Sequence, residues 1–272
     1  MNLCDTDAYL LDLNGACLPM TRRLIIFAAA LFAIFISQAQ ILMGWGQSPA
    51  EFAADSDATL RVAGYAFAIW GIIYLGLLIY AVRQALPGTP DSPLRARLGW
   101  PSALALTGIG VWIVAAAYDW EWATIGLIFG SLLVLLIPLL ADASAIRALP
   151  VRDSERWMTV WPLAMLAGWL SIASPVNLIT VATGNGWLPE AVSPTTLAIG
   201  AIGVVALLAV FVTARLRSLA FSIPVAWGLG GVFVAEQTRN PLLAQVAAGA
   251  AVAVLVAAVL LVARATMLRR NG

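Results

Sequence analysis

Four tryptophans fall deep inside apolar stretches: Trp70, Trp112, Trp169 and Trp227. An indole in such a place offers a flat stacking face and one N–H that needs an acceptor. Each alone reads equally well as packing. Together three of them are more informative. Tyr74 follows Trp70 at i+4, and Ala173 and Asn177 follow Trp169 at i+4 and i+8. On a helix those spacings share a face. At 1.5 Å per residue, Trp70, Trp112 and Trp169 come to similar depth, roughly 10–12 Å below the outer surface of a bilayer. Aromatic walls with a few orienting polar groups suit a flat, largely apolar ligand. The small Ala173 leaves room for a ring. The Asn177 amide is costly in lipid unless bonded, so it faces protein or ligand. Asp119 and Glu121, in Tyr118-Asp-Trp-Glu-Trp122, cap the outer end of this region. They read either as a solvated tight turn or as the mouth of the pocket.

Other chemistry is excluded by what the chain lacks. It has no His and no Lys; all 15 basic residues are Arg. Without imidazole there is no histidine metal ligand, haem ligand, general base or proton relay. Without lysine there is no Schiff base and no P-loop. No Ser/His, Cys/His or Ser/Lys pair can form, and no two carboxylates lie deep in a span. Cys4 and Cys17 lack CxxC spacing, so no metal site is expected. The net charge of +1 gives no field for nucleic acid. A binding protein, not an enzyme, is the expectation.

The elements that must position these groups are membrane helices. Of 272 residues, 62% are apolar and only 11% charged, too few polar side chains to cover a soluble domain. Eight apolar runs are long enough to read as spans, at about 24–45, 62–82, 99–118, 122–141, 157–181, 196–214, 219–235 and 241–263, the seventh being the shortest. The fold class is therefore all-α, a polytopic membrane bundle of about eight helices. With the N-terminus in the cytoplasm, Arg22, Arg23, Arg83, Arg95, Arg97, Arg147, Arg152, Arg156, Arg215, Arg217, Arg264, Arg269 and Arg270 fall inside, and only Arg61 and Arg239 outside. This asymmetry supports the span count, puts both termini in the cytoplasm and fits a plasma or bacterial inner membrane. Residues 1–19 carry Asp5, Asp7 and Asp12 and are no secretory signal; they read as a leader, or as a misassigned start with Met20 the initiator. The pairs Trp100-Pro101 and Trp161-Pro162 read as helix starts at the headgroup level, the second alternatively as a kink. Pro175 is expected to bend the fifth span.

A family resemblance rests on these same residues. Gly64-Tyr-Ala-Phe-Ala-Ile-Trp-Gly-Ile-Ile-Tyr74, with Trp70 and Tyr74 four apart, resembles the second helix of the TspO family. These are the tryptophan-rich sensory proteins, related to the mitochondrial translocator or peripheral benzodiazepine receptor. The fifth span matches the family's Trp-x3-Ala-x3-Asn in Trp169, Ala173 and Asn177, and Trp112 with Tyr118 and Trp120 resembles the third helix. Departures are present too: Val62-Ala63 replaces a Pro-Pro, Ile109 an Asn, and Met165-Leu166 a Pro-Tyr. The resemblance spans about residues 22–182. It implies a five-helix TspO-like core over 20–182, followed by a three-helix segment over 183–272.

It also implies a ligand. Family members bind porphyrins, and with no His here a metal-free tetrapyrrole is the better expectation than haem; no cofactor is required. The expected function is a membrane sensor or receptor that binds a planar hydrophobic ligand among Trp70, Tyr74, Trp112, Trp169, Ala173 and Asn177. The alternative is a facilitated transporter of a small neutral or amphipathic solute. A proton-coupled pump is disfavoured, because Asp, Glu and Arg all lie in loops or near helix ends. Membrane lipid is the obligatory partner. The small residues from Ala247 onward in the last span read as intramolecular packing or as a homodimer face.

Overall fold

The computed structural model describes residues 19–86 and 92–270; the leader up to residue 18, with both cysteines, lies outside them, and Pro19 already belongs to the first helix. Among the described residues ten α-helices form: α1 (Pro19–Met43), α2 (Pro49–Ala54), α3 (Ile69–Ala85), α4 (Pro93–Ala117), α5 (Glu121–Ala141), α6 (Ala143–Ala148), α7 (Trp161–Gly184), α8 (Pro194–Leu216), α9 (Ser222–Glu236) and α10 (Pro241–Arg270). A 3₁₀ segment, Gly64–Ala68, leads into α3, and a π turn, Arg156–Val160, leads into α7. No strand occurs among the described residues.

One local device starts four of these helices. Ser48, Ser92, Ser193 and Asn240 each precede a proline, and each side chain accepts a backbone N–H from the first turn. Proline at the first position gives up an N–H that the helix would leave unpaired anyway, and the cap satisfies another.

Seven helical stretches are long and apolar enough to cross a membrane. The eighth expected span is α9, with only 15 residues, or about 22 Å against a hydrocarbon core of about 30 Å. Protein closes the shortfall. The extended segment before the 3₁₀ turn dips into the bundle, so that Ala63 N donates to Gly231 O at 3.0 Å and Trp227 Nε1 to Ala66 O at 2.8 Å. At the other end Ala220 and Phe221 are fully buried. The helix therefore meets protein at both of its ends, while Ile223, Trp227, Phe233 and Val234 leave one face exposed.

The first five long helices close into a ring: α1 packs on α3 and α4, α4 on α5, α5 on α7, and α7 back on α3. The last three attach to one side, with α9 on α7 and α10 covering α8 and α9. The spans are thus arranged as a ring plus a flank. Loop contacts define two ends. At one, Gln47 bonds Asp119 and Glu121 bonds Asn185, and Arg239 pairs with Asp57. At the other, Arg97 pairs with Asp142, Arg95 with Glu155, and Arg156 bonds Arg217 O. The second end carries most of the arginine, as the charge pattern requires.

One expectation about the prolines is corrected. Trp100-Pro101 is not a helix start: α4 begins at Pro93, and Pro101 sits inside it. The helix runs past the apolar run because Arg95 and Arg97 find acidic partners at the arginine-rich end, so charge does not terminate it. Trp161-Pro162 does open a regular helix, but after the π turn. A wider turn relieves the clash between a proline ring and the carbonyl four residues back. At Pro175, α7 continues without interruption to Gly184.

Candidate functional site

The aromatic groups converge beneath α2, at the acidic end of the five-helix ring. Trp112 comes from α4, Trp169, Ala173 and Asn177 from one face of α7, and Trp70 and Tyr74 from the first two turns of α3. Trp169 is the hinge of the cluster. Its ring meets Trp70 edge-on at 6.2 Å and Phe67 edge-on at 5.9 Å. Trp70 stacks on Tyr74 at 5.0 Å. Such edge and offset arrangements suit the aromatic quadrupole.

Asn177 is buried and bonded through both ends of its amide. Its Oδ1 accepts from Trp112 Nε1 at 3.0 Å, and its Nδ2 donates to Thr124 Oγ1 at 3.0 Å. Thr124 in turn donates to Glu121 O at 2.6 Å. One amide therefore ties α4, α5 and α7 together just under the acidic end. The indole N–H of Trp112 and the amide of Asn177, both costly in lipid, satisfy each other.

The expected site is in fact two cavities. Trp112, Trp169, Ala173 and Asn177 line one of about 30 Å³, together with Phe52, Val62, Phe67 and Ile128. Trp70 and Tyr74 line another of about 230 Å³, between α1 and α3, with Ser37, Gln38 and Ser48. Pro49 and Phe67 belong to both and form the partition. No charged side chain lines either space among the described residues. Buried Tyr74 carries its hydroxyl next to Ser37.

Helix α2 is the roof. Phe52 packs edge-on against Trp112 at 5.9 Å. A capping box holds the helix: Glu51 N donates to Ser48 Oγ at 3.2 Å, and Ser48 N donates to the Glu51 carboxylate at 2.6 Å. The Ser48 backbone N–H, and after it the Ser48 side chain, hold the Glu51 carboxyl below the ordinary glutamate range. The loop leading to α2 can press onto α4 only through Gly46, at φ +62°, where a Cβ would lie 2.2 Å from Ala117 O.

Asp119 and Glu121 line neither cavity. Asp119 accepts from Gln47 Nε2 at 3.2 Å and Glu121 from Asn185 Nδ2 at 2.6 Å. Both join neighbouring loops around the roof. Sequence reasoning did not find Phe52, Phe67, Thr124 or the roof itself. The signal for the roof was present: Ser48-Pro-Ala-Glu51 is the sequence pattern of a capped helix start.

A family model described as TSPO-like protein matches residues 22–261. The chain belongs to that family. The match runs beyond the five spans that carry the resemblance, through α8 and α9 and most of α10. With its long apolar helices, this TSPO-like chain is an integral membrane protein. No curated protein and no solved structure matches it significantly.

Proposed function

We propose that this TSPO-like protein binds a planar, largely hydrophobic ligand beneath α2, between α3, α4 and α7. The observation that carries the reading is the partition. Two aromatic-walled cavities without a charged lining residue share Pro49 and Phe67 as common wall. Ordinary small-molecule pockets run to about 300–1,000 Å³. Neither cavity reaches that size, so a tetrapyrrole does not fit either as it stands. Moving the roof and the Phe67 ring joins them into one space. Its walls would be Trp70, Tyr74, Trp112 and Trp169, with the Tyr74 hydroxyl and Gln38 available to orient a polar substituent.

The direct test is a titration of the purified full chain with protoporphyrin, following tryptophan quenching and the porphyrin absorbance band. Trp169→Leu is the comparison, its fold checked by circular dichroism. Saturation near one per chain, weakened about ten-fold or more by Trp169→Leu, is the expected outcome. Absence of saturable binding, or equal binding by Trp169→Leu, overturns the porphyrin-like assignment. Accumulation of ligand in sealed vesicles beyond one per chain would instead favour facilitated transport.

A further inference from the structure

The opposite end of the molecule holds a cavity of different chemistry. It has a volume of about 270 Å³ and lies where the π turn, the α8–α9 connection and the end of α10 meet. Its polar lining is Arg156, Arg217, Ser218 and Thr266; its apolar lining includes Leu219, Val262 and Ala265. Trp157 and Trp161 stand at its side, stacked at 4.5 Å.

The cationic groups differ in how they are used. Arg156 is buried and donates to Ile146 O at 3.1 Å and to Arg217 O at 2.6 Å. It fixes the backbone of the α8–α9 connection. Arg217 is half-buried, in a left-handed conformation that ends α8. Among the described residues no carboxylate lies within ion-pair distance of its guanidinium. The acids at this end are engaged elsewhere: Asp142 by Arg97 at 2.7 Å, Glu155 by Arg95 at 3.3 Å, and Asp153 by the Glu155 amide at 2.7 Å. A partly desolvated guanidinium without an acid is suited to a phosphate oxygen pair.

The position selects the source of that phosphate. Val262 lies about 32 Å along α10 from Pro241, at 1.5 Å per residue, hence at the headgroup level of a bilayer. Val259, one turn back on the same face, and Leu260 are exposed and apolar. An acyl chain leaving the cavity would run along them. Paired tryptophans at a membrane–water interface also suit a headgroup boundary.

We propose that this cavity is a binding site for the phosphate of an anionic phospholipid headgroup, with Arg217 as its principal cation and Trp157–Trp161 as its rim. The acyl chains lie along α10. The site is separate from the aromatic cavities under α2 and does not depend on their function.

Native mass spectrometry of the full chain in neutral detergent tests this. The probes are dioctanoyl phosphatidylglycerol, dioctanoyl phosphatidylcholine and inorganic phosphate. One saturable phosphatidylglycerol per chain is expected, at least five-fold tighter than phosphatidylcholine. Arg217→Gln should reduce that preference about five-fold or more, and Arg217→Lys should restore part of it, with the melting temperature of each variant checked. Inorganic phosphate binding as well as phosphatidylglycerol would overturn the lipid assignment in favour of a free anion. Equal binding of the two lipids, or an Arg217→Gln chain that folds and binds as before, would overturn the site.

Discussion

Replacing Asn177 by Leu isolates the polar link among three ring helices. Leucine keeps the branched outline and heavy-atom count of asparagine, and although its methyl groups are larger, they face the small apolar cavity that Asn177 lines. What is lost is two hydrogen bonds between helices, each 3.0 Å long: Trp112 Nε1 to Asn177 Oδ1 and Asn177 Nδ2 to Thr124 Oγ1. Hydrogen bonds between membrane helices average about 0.6 kcal/mol, so the pair sets a lower figure of about 1 kcal/mol. The orphaned indole N–H raises it, because Trp112 is only 6% exposed and an unsatisfied buried donor costs about 1–3 kcal/mol. Thr124 loses less, since it still donates to Glu121 O. The expected destabilisation is therefore about 1–3 kcal/mol. Equilibrium unfolding in mixed micelles, followed by circular dichroism, measures it. The same substitution made in a Trp112→Phe background should cost about 1 kcal/mol less, because the donor it orphans is already gone. A change below about 0.5 kcal/mol for Asn177→Leu, or strict additivity with Trp112→Phe, would refute the reasoning.

Two further predictions concern close packing and the roof. At Gly168 in α7 a Cβ would lie 2.2 Å from Phe221 O, so Gly168→Ala should lower stability by about 1–3 kcal/mol as the α8–α9 connection is pushed away. Gly126→Ala in α5, where nothing lies within 4 Å, should leave the melting temperature equal or higher, since Ala is the better helix former. The roof should respond to acid through Glu51. Its carboxyl is held below the ordinary glutamate range by the Ser48 hydrogen bonds, so its contribution to the cap is present above the unfolded pKa and lost as pH falls through the folded one. Stopped-flow association of protoporphyrin should speed up over that fall, and Ser48→Ala should give the faster rate already at neutral pH. Glu51→Gln, which removes the titrating carboxyl, should abolish the acid response; a response that persists in it would point to another group.

The sequence shows the membrane bundle plainly because the bilayer imposes a single strong rule. Backbone polar groups in hydrocarbon must be paired, so apolar runs of about 20 residues become helices. That rule locates seven spans and, through the arginines, their two ends. It says less about α9, whose 15 residues suffice only because Ala63 and Ala66 reach down to Gly231 and Trp227. Contacts between distant segments of this kind have no local signature. The candidate site divides in the same way. Trp169, Ala173 and Asn177 share a face by spacing alone, and the need of Asn177 for a partner follows from burial. That the partner is Trp112 depends on how α4 packs. The separation of Trp70 and Tyr74 from the other four depends on Phe67, which sits in a 3₁₀ turn rather than in the α-helix that the apolar run predicts. Asp119 and Glu121 fall near the site in sequence, yet their loop partners turn them aside.

The 3₁₀ turn also supplies a way for the partition to move. Gly64–Ala68 ends directly at Ile69, the first residue of α3. A 3₁₀ helix advances 120° and about 2.0 Å per residue, an α-helix 100° and about 1.5 Å. Phe67 lies two residues before Ile69. Extending α3 back over it would swing its side chain by roughly 40° about the helix axis and draw it in by about 1 Å. Such a shift is large compared with the fit of a ring between Pro49 and Trp169, and it acts on the side chain common to both cavities. The backbone can make it cheaply at one end, because Gly64 has open space around its Cα. It is restrained at the other, where Ala63 bonds Gly231 and Arg61 N donates to the buried carboxylate of Glu236 at 3.0 Å. The flank helix α9 thus holds the segment that sets the partition. This ties α9 mechanically to two cavities whose walls lie between Ser37 and Asn177 in the chain.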